Sequence, residues 1–163
     1  MPIFNSEKCF FSQNKTLALR IEKTDLPREY PEKLSIKGIE LVLKDIYHIS
    51  LFPVNEINEK YELSLTEDDI REMLTEFLIN NDIEVEFGDE YRYVEGNDRK
   101  SVVVMCKSSN ISDFYDLVNK KFGLNILPPV PHTTIYTLPG KHGIYLLDQE
   151  DLDKKTKVCD LNS

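Results

Sequence analysis

SVVVMCKSSNISDFYDLVNKKFGLNILPPVPHTTIYTL, residues 101–138, passes from strand to helix to strand in one run. Val102, Val103, Val104, Met105 and Cys106 form a continuous apolar stretch, which reads as a strand central in a sheet. Asn110 and Asp113 open a helix on which Ile111, Phe114, Tyr115, Val118 and Phe122 recur at the spacing of one buried stripe, and Gly123 is placed to stop it. Pro128, Pro129 and Pro131 then stiffen the entry to a second strand over residues 132–138.

Outward from this unit the same two periods recur. Upstream, Ile83, Val85 and Phe87 alternate as a strand, residues 91–95 form another, and GNDRK at 96–100 is a turn. Before them Thr66 and Asp69 cap a helix whose apolar positions are Ile70, Met73, Leu74, Phe77 and Leu78. Residues 15–23, 36–44 and 46–52 read as strands, and the proline-bearing stretch 24–33 as a loop. Downstream, Pro139-Gly140 turns the chain into a short strand at 143–147, and the polar end is a frayed tail from about residue 153. Strands, helix, strands, helix, strands is the order of an α+β domain, with two principal helices packed outside mainly antiparallel sheet.

A chain of 163 residues with 40% hydrophobic content suffices for one core, so residues 1–163 are read as a single domain. The formal charge of −9 argues against a protein that grips long duplex nucleic acid, which needs a broad basic face. No stretch approaches the length of a membrane span and none resembles a secretory leader, so a cytoplasmic monomer is expected. Cys9, Cys106 and Cys159 are odd in number and far apart, and are read as reduced thiols rather than a disulfide frame or a metal site.

Two segments carry chemistry: Tyr47-His48-Ile49-Ser50-Leu51 and Pro131-His132-Thr133-Thr134-Ile135. Each places a histidine two residues before a hydroxyl, on what reads as a strand. Strand side chains alternate faces, so His48 shares a face with Ser50, and His132 with Thr134, each pair roughly 6–7 Å apart along the backbone. If the strands lie side by side, two imidazoles and two hydroxyls converge on one ligand. Cleaving a phosphodiester needs a base for the attacking oxygen, an acid for the leaving oxygen and donors for the charged oxygens. Histidine, with a pKa of about 6.5, serves as either base or acid near neutral pH. On residue types alone, two structural histidines bonded to nearby hydroxyls explain the pattern as well as catalysis does.

The two motifs and the elements between and around them resemble the 2H phosphoesterase superfamily, which includes RNA 2′-5′ ligase-like proteins and cyclic phosphodiesterases. The likeness runs from about Ile39 to Leu152 and includes Pro131 before the second motif and Gly143-Ile144 after it. It implies a bilobal sheet around a central cleft, His48 and His132 as acid and base, and Ser50 and Thr134 as phosphate ligands, with no metal and no cofactor. Two positions depart from the usual pattern: Ser50 stands where threonine is common, and Thr133 where a hydrophobic residue is usual.

The expected function is phosphodiesterase action on a 2′,3′-cyclic, 2′-5′-linked or cyclic (di)nucleotide substrate or an RNA end. The alternative is a module of the same fold that binds such a ligand without turning it over. Phe52 and Tyr136 continue the motif strands and are expected to flank a base or ribose in the cleft. Tyr91, with Tyr93, could form another cleft wall, and Lys141 could add charge near the phosphate. His142 is read as an exposed loop histidine.

Overall fold

The computed structural model describes residues 3–161. Within them the chain runs β1 (Ile3–Phe4), β2 (Cys9–Phe11), β3 (Thr16–Ile21), β4 (Lys33–Ile36), β5 (Ile39–Leu43), β6 (Tyr47–Pro53), α1 (Val54–Tyr61) and α2 (Glu67–Asn80). It continues through β7 (Ile83–Glu84), β8 (Glu86–Gly96), β9 (Arg99–Lys107), α3 (Ile111–Phe122), β10 (His132–Thr137), α4 (Gln149–Lys155) and β11 (Thr156–Cys159). The fold is α+β, and the strand pairings among these residues are antiparallel. Nine strands form one sheet with the path β11-β8-β9-β10-β6-β3-β2, to which the β4-β5 hairpin attaches through β10. The two lobes implied by the resemblance are therefore not separate sheets. One half, ending in β10, meets the other, beginning with β6, at a single registered pair, Thr133 with Ile49.

Helices α2 and α3 lie on one face of this sheet. The Thr66 hydroxyl accepts the Asp69 N–H at 3.1 Å and the Asp69 carboxylate accepts the Thr66 N–H at 2.9 Å, a reciprocal cap that starts α2. Its stripe of Ile70, Met73, Leu74 and Phe77 is buried, as are Ile111, Phe114, Tyr115 and Val118 of α3. The stripes meet where the Phe77 and Phe114 rings pack edge to face, 5.6 Å apart. Gly123, at φ 66°, ends α3 in the left-handed conformation that glycine adopts freely. Asn110 does not cap α3 with its side chain; that role falls to the Ser108 hydroxyl, which accepts the Ile111 N–H at 3.2 Å.

Several expected elements differ. Residues 36–44 are not one strand: Lys37 and Gly38, both at positive φ, fold the stretch into the β4-β5 hairpin. Residues 83–95 give the short β7 and then a long β8, which passes a register shift between Phe87 and Tyr91. Helix α1 was not apparent because it buries only Val54 and Ile57. Residues 143–147 pair with no strand and cross over the second sheet face instead.

The end of the chain is not a frayed tail. Asp148 caps α4 by accepting the Asp151 N–H at 3.0 Å, and its buried carboxylate also binds the Lys60 ammonium. Strand β11 then pairs with β8 from Thr156 opposite Val94 to Cys159 opposite Tyr91. Leu152 closes a small core of Val94, Val103, Met105 and Leu146 on the second face. A four-residue edge strand such as β11 is too short for an apolar alternation to betray it, although Lys157 suits an exposed edge. Among the described residues no helix is long and apolar enough to cross a membrane, and the three cysteines are unpaired.

Leu152→Ala should lower stability by about 2–4 kcal/mol in urea unfolding, because it removes the centre of the second core. Val158→Ala, at an exposed position of β11, should change stability by less than about 0.5 kcal/mol.

Candidate active site

Antiparallel counting outward from Thr133 and Ile49 sets Thr134 across from His48 and His132 across from Ser50. Ile49 and Thr133 are fully buried on the helix side, so these four side chains share the opposite face. Histidine and hydroxyl thus alternate around a quartet. Facing residues in such a pair stand about 4.5–5.5 Å apart and diagonal ones about 7–8 Å, so both imidazoles are within reach of one tetrahedral anion.

Each motif strand carries a β-bulge immediately after the quartet. In β6 the register with β3 passes from Ala18 opposite Ser50 to Leu17 opposite Phe52, leaving Leu51 as the extra residue. In β10 the register with β9 passes from Val103 opposite Thr134 to Val102 opposite Tyr136, leaving Ile135 as the extra residue. The carbonyl of Leu51 accepts the Tyr115 hydroxyl at 2.6 Å, and that of Ile135 accepts the Lys44 N–H at 2.9 Å. An extra residue shifts the alternation by one, so side chains beyond the bulge change face.

That change corrects the assignment of Phe52 and Tyr136 to the cleft. Both are 0% exposed on the helix side. Phe52 packs on Phe114 and Tyr115, and the Tyr136 hydroxyl donates to the Pro31 carbonyl at 2.6 Å. Tyr91 is also buried there, sharing a 2.7 Å hydrogen bond with the Tyr30 hydroxyl, and Tyr93 is core as well. Lys141 does not reach the quartet; it forms an exposed ion pair with Asp98 at 2.9 Å. Thr133 faces the core beside the Cys106 thiol, a weak partner, and its hydroxyl makes no well-formed hydrogen bond among the described residues.

The quartet opens into a cleft of about 510 Å³. Besides His48, Ser50, His132 and Thr134, its lining includes Lys44, Arg99 and the exposed His142. Among the described residues no Asp or Glu lines it, in a chain with 29 acidic residues. Residues 143–147 form a roof, tied across the cleft where the Tyr145 and Thr16 hydroxyls share a 2.7 Å hydrogen bond. The roof passes close over the quartet at Gly143, where a Cβ would stand 3.0 Å from Thr134 Oγ1 and would require that hydroxyl to shift. Lys44 sits four residues before His48 and could have been suspected from that closeness; nothing local marks Arg99, Thr16 or Tyr145.

His132 Nδ1 lies 3.0 Å from the Val130 carbonyl oxygen. A carbonyl only accepts, so Nδ1 carries the proton and the neutral ring keeps its lone pair on Nε2. Burial lowers the His132 pKa, and the Val130 carbonyl partly opposes this. His48 is pushed down to about 4, first by burial, then by the Lys44 ammonium and by His132. The Phe10 ring stands edge-on to His48 with centroids 6.5 Å apart. Burial also lowers the Lys44 pKa, against the raising effect of Asp45. Both imidazoles are thus held toward the neutral form. Among the described residues no three His, Cys, Asp or Glu side chains group as a metal site.

Compared with known proteins, the chain matches no family model, no curated protein and no solved structure.

The depressed His48 pKa has a defined consequence for stability. The unfolded chain takes a proton near pH 6.5 and the native protein only near 4, so His48 adds stability that is complete above about 6.5 and lost as the pH falls to about 4. The loss should approach roughly 3 kcal/mol. Urea unfolding of His48→Gln should show a shallower decline across this window than the parent. In NMR titration His48 should titrate near 4 and move upward in Lys44→Met; an unmoved His48 would contradict the electrostatic role of Lys44.

Proposed function

We propose that the protein is a metal-independent phosphodiesterase of 2H phosphoesterase type. It cleaves small 2′,3′-cyclic, 2′-5′-linked or cyclic (di)nucleotide phosphodiesters, or acts at an RNA end, as a cytoplasmic monomer. The observation that carries this reading is the alternating quartet of two imidazoles and two hydroxyls on one sheet face, in a cleft lined without carboxylates. Acid, base and phosphate donors are then all protein side chains.

His132 suits the base, since its Nδ1–H is engaged by Val130 and its Nε2 is free to accept a proton. In the forward step Nε2 takes the proton of an attacking water or ribose hydroxyl as that oxygen bonds to phosphorus. His48 gives a proton to the leaving oxygen as the other P–O bond breaks. Ser50 and Thr134 stabilise the non-bridging oxygens. A bound phosphodiester carries a negative charge that offsets Lys44, which favours the protonated His48 needed for this step.

One observation favours the second reading, a non-catalytic nucleotide or RNA-end binding module. Both histidines are biased to neutrality, which leaves little protonated acid at neutral pH.

Turnover of a panel of cyclic and 2′-5′-linked nucleotides in EDTA separates the two. Catalysis predicts activity that survives chelation and falls by roughly 10²–10⁴-fold in His48→Ala and in His132→Ala. Tight binding without turnover supports the module, and activity lost in EDTA but restored by zinc or manganese overturns metal independence. Because kcat/KM follows the free protein, it should decline as the pH rises above about 4, where His48 loses its proton, while kcat should decline only at higher pH, where the bound phosphate supports the protonated His48.

A further inference from the structure

The cleft is not electrically symmetric about the quartet. Lys44 stands beyond its His48 and Thr134 side: Leu43 pairs with Tyr136, and the next N–H, that of Lys44, donates to the Ile135 carbonyl. The Lys44 carbonyl accepts the Tyr47 hydroxyl at 2.5 Å, so both its backbone groups are held. Arg99 stands on the same side. It begins the strand that pairs Ser101 with Thr137, and its guanidinium donates at 3.3 Å to the Gly143 carbonyl, above Thr134. His142 lies beside it on the roof segment.

The opposite end, beyond Ser50 and His132, is bounded by Ser12, Gln13, Asn14 and Thr16, with Pro53 and Pro129. The Ser12 N–H donates to the Thr16 carbonyl at 2.9 Å and the Ser12 hydroxyl accepts the Thr16 N–H at 3.3 Å, which closes this turn. None of these lining side chains is charged; Lys15, in the same turn, is exposed and does not line the cleft.

We propose that the cleft takes a phosphodiester bearing a second phosphate, with that phosphate at the Lys44 and Arg99 end and an uncharged nucleoside face at the Ser12 to Thr16 end. The inference rests on the reading of the quartet as a phosphate site. The scissile group, a monoanion, already has two hydroxyls and an imidazolium. Two further cations on one side and none on the other are more than it requires, and they match a ligand whose charge extends in one direction. Past Lys44, in an adjoining cavity of about 370 Å³, Lys23 and Lys33 are balanced by Glu32 and Asp45. A second phosphate therefore meets its strongest attraction at Lys44 and Arg99, before the carboxylates begin.

The test compares a nucleoside 2′,3′-cyclic phosphate with the same compound carrying a 5′-phosphate, using the full-length protein, Lys44→Met, Arg99→Met, the double variant, and Lys141→Met as a cation outside the cleft. The parent and Lys141→Met should prefer the 5′-phosphorylated compound by about tenfold or more in kcat/KM. The preference should shrink in each single cleft variant and vanish in the double variant. Equal kcat/KM for the two compounds in the parent overturns the proposal. So does an equal loss on both compounds in the variants, which would assign the cations to the scissile phosphate alone. If neither compound is turned over, the phosphodiesterase reading fails separately, and calorimetric dissociation constants decide: a preference lost in the double variant upholds the second-phosphate site, and equal or absent binding overturns it.

Discussion

The pairing of Thr133 with Ile49 is the contact on which the site depends. It joins the two halves of the sheet, and it sets the histidine of each motif strand opposite the hydroxyl of the other. A slip of one residue between β6 and β10 would misalign the quartet, and a one-residue shift of either strand against its other neighbour would turn its two polar groups toward the helices. The register is held from both sides. His132 and Thr134 are set against Met105 and Val103 of β9, and His48 and Ser50 against Arg20 and Ala18 of β3. Ile49 and Thr133 themselves are fully buried under α2 and α3.

The paired bulges limit how far the polar face extends. Each motif strand presents one imidazole and one hydroxyl to the cleft, and then an extra residue returns the following aromatic ring to the core. The freed carbonyls are not left bare: Tyr115 serves Leu51 from the helix side, and the N–H of Lys44, the residue after β5, serves Ile135. The second of these contacts has two effects. It satisfies the bulge and it brings a cation to the rim of the cleft, so the irregularity in the sheet is also part of the electrostatics of the site.

Charge is sorted within the molecule. The chain is strongly acidic, yet the cleft lining among the described residues holds Lys44, Arg99 and three histidines and no carboxylate. Asp148, which is buried nearby, is neutralised by Lys60 and occupied as the cap of α4. An anion entering the cleft meets positive partners without a competing carboxylate in the wall. Burial of both rings, joined at His48 by the Lys44 ammonium, holds the imidazoles toward the neutral form, so ligand charge and histidine protonation are linked.

The sequence by itself determined the α+β class, the two helices and their buried stripes, and the two His-x-hydroxyl pairs. These follow from periods of 3.6 and 2, which a chain displays locally. Only the tertiary structure decided where those periods break. Phe52 and Tyr136 continue the alternation in the sequence, but each lies past a bulge that exists only because a neighbouring strand pairs out of step. The register of β6 with β10, the gathering of Lys44 and Arg99 at one end, the roof over Thr134 and the docking of α4 and β11 join residues far apart along the chain. Such contacts are set by packing and hydrogen bonding between elements, and no local pattern encodes them.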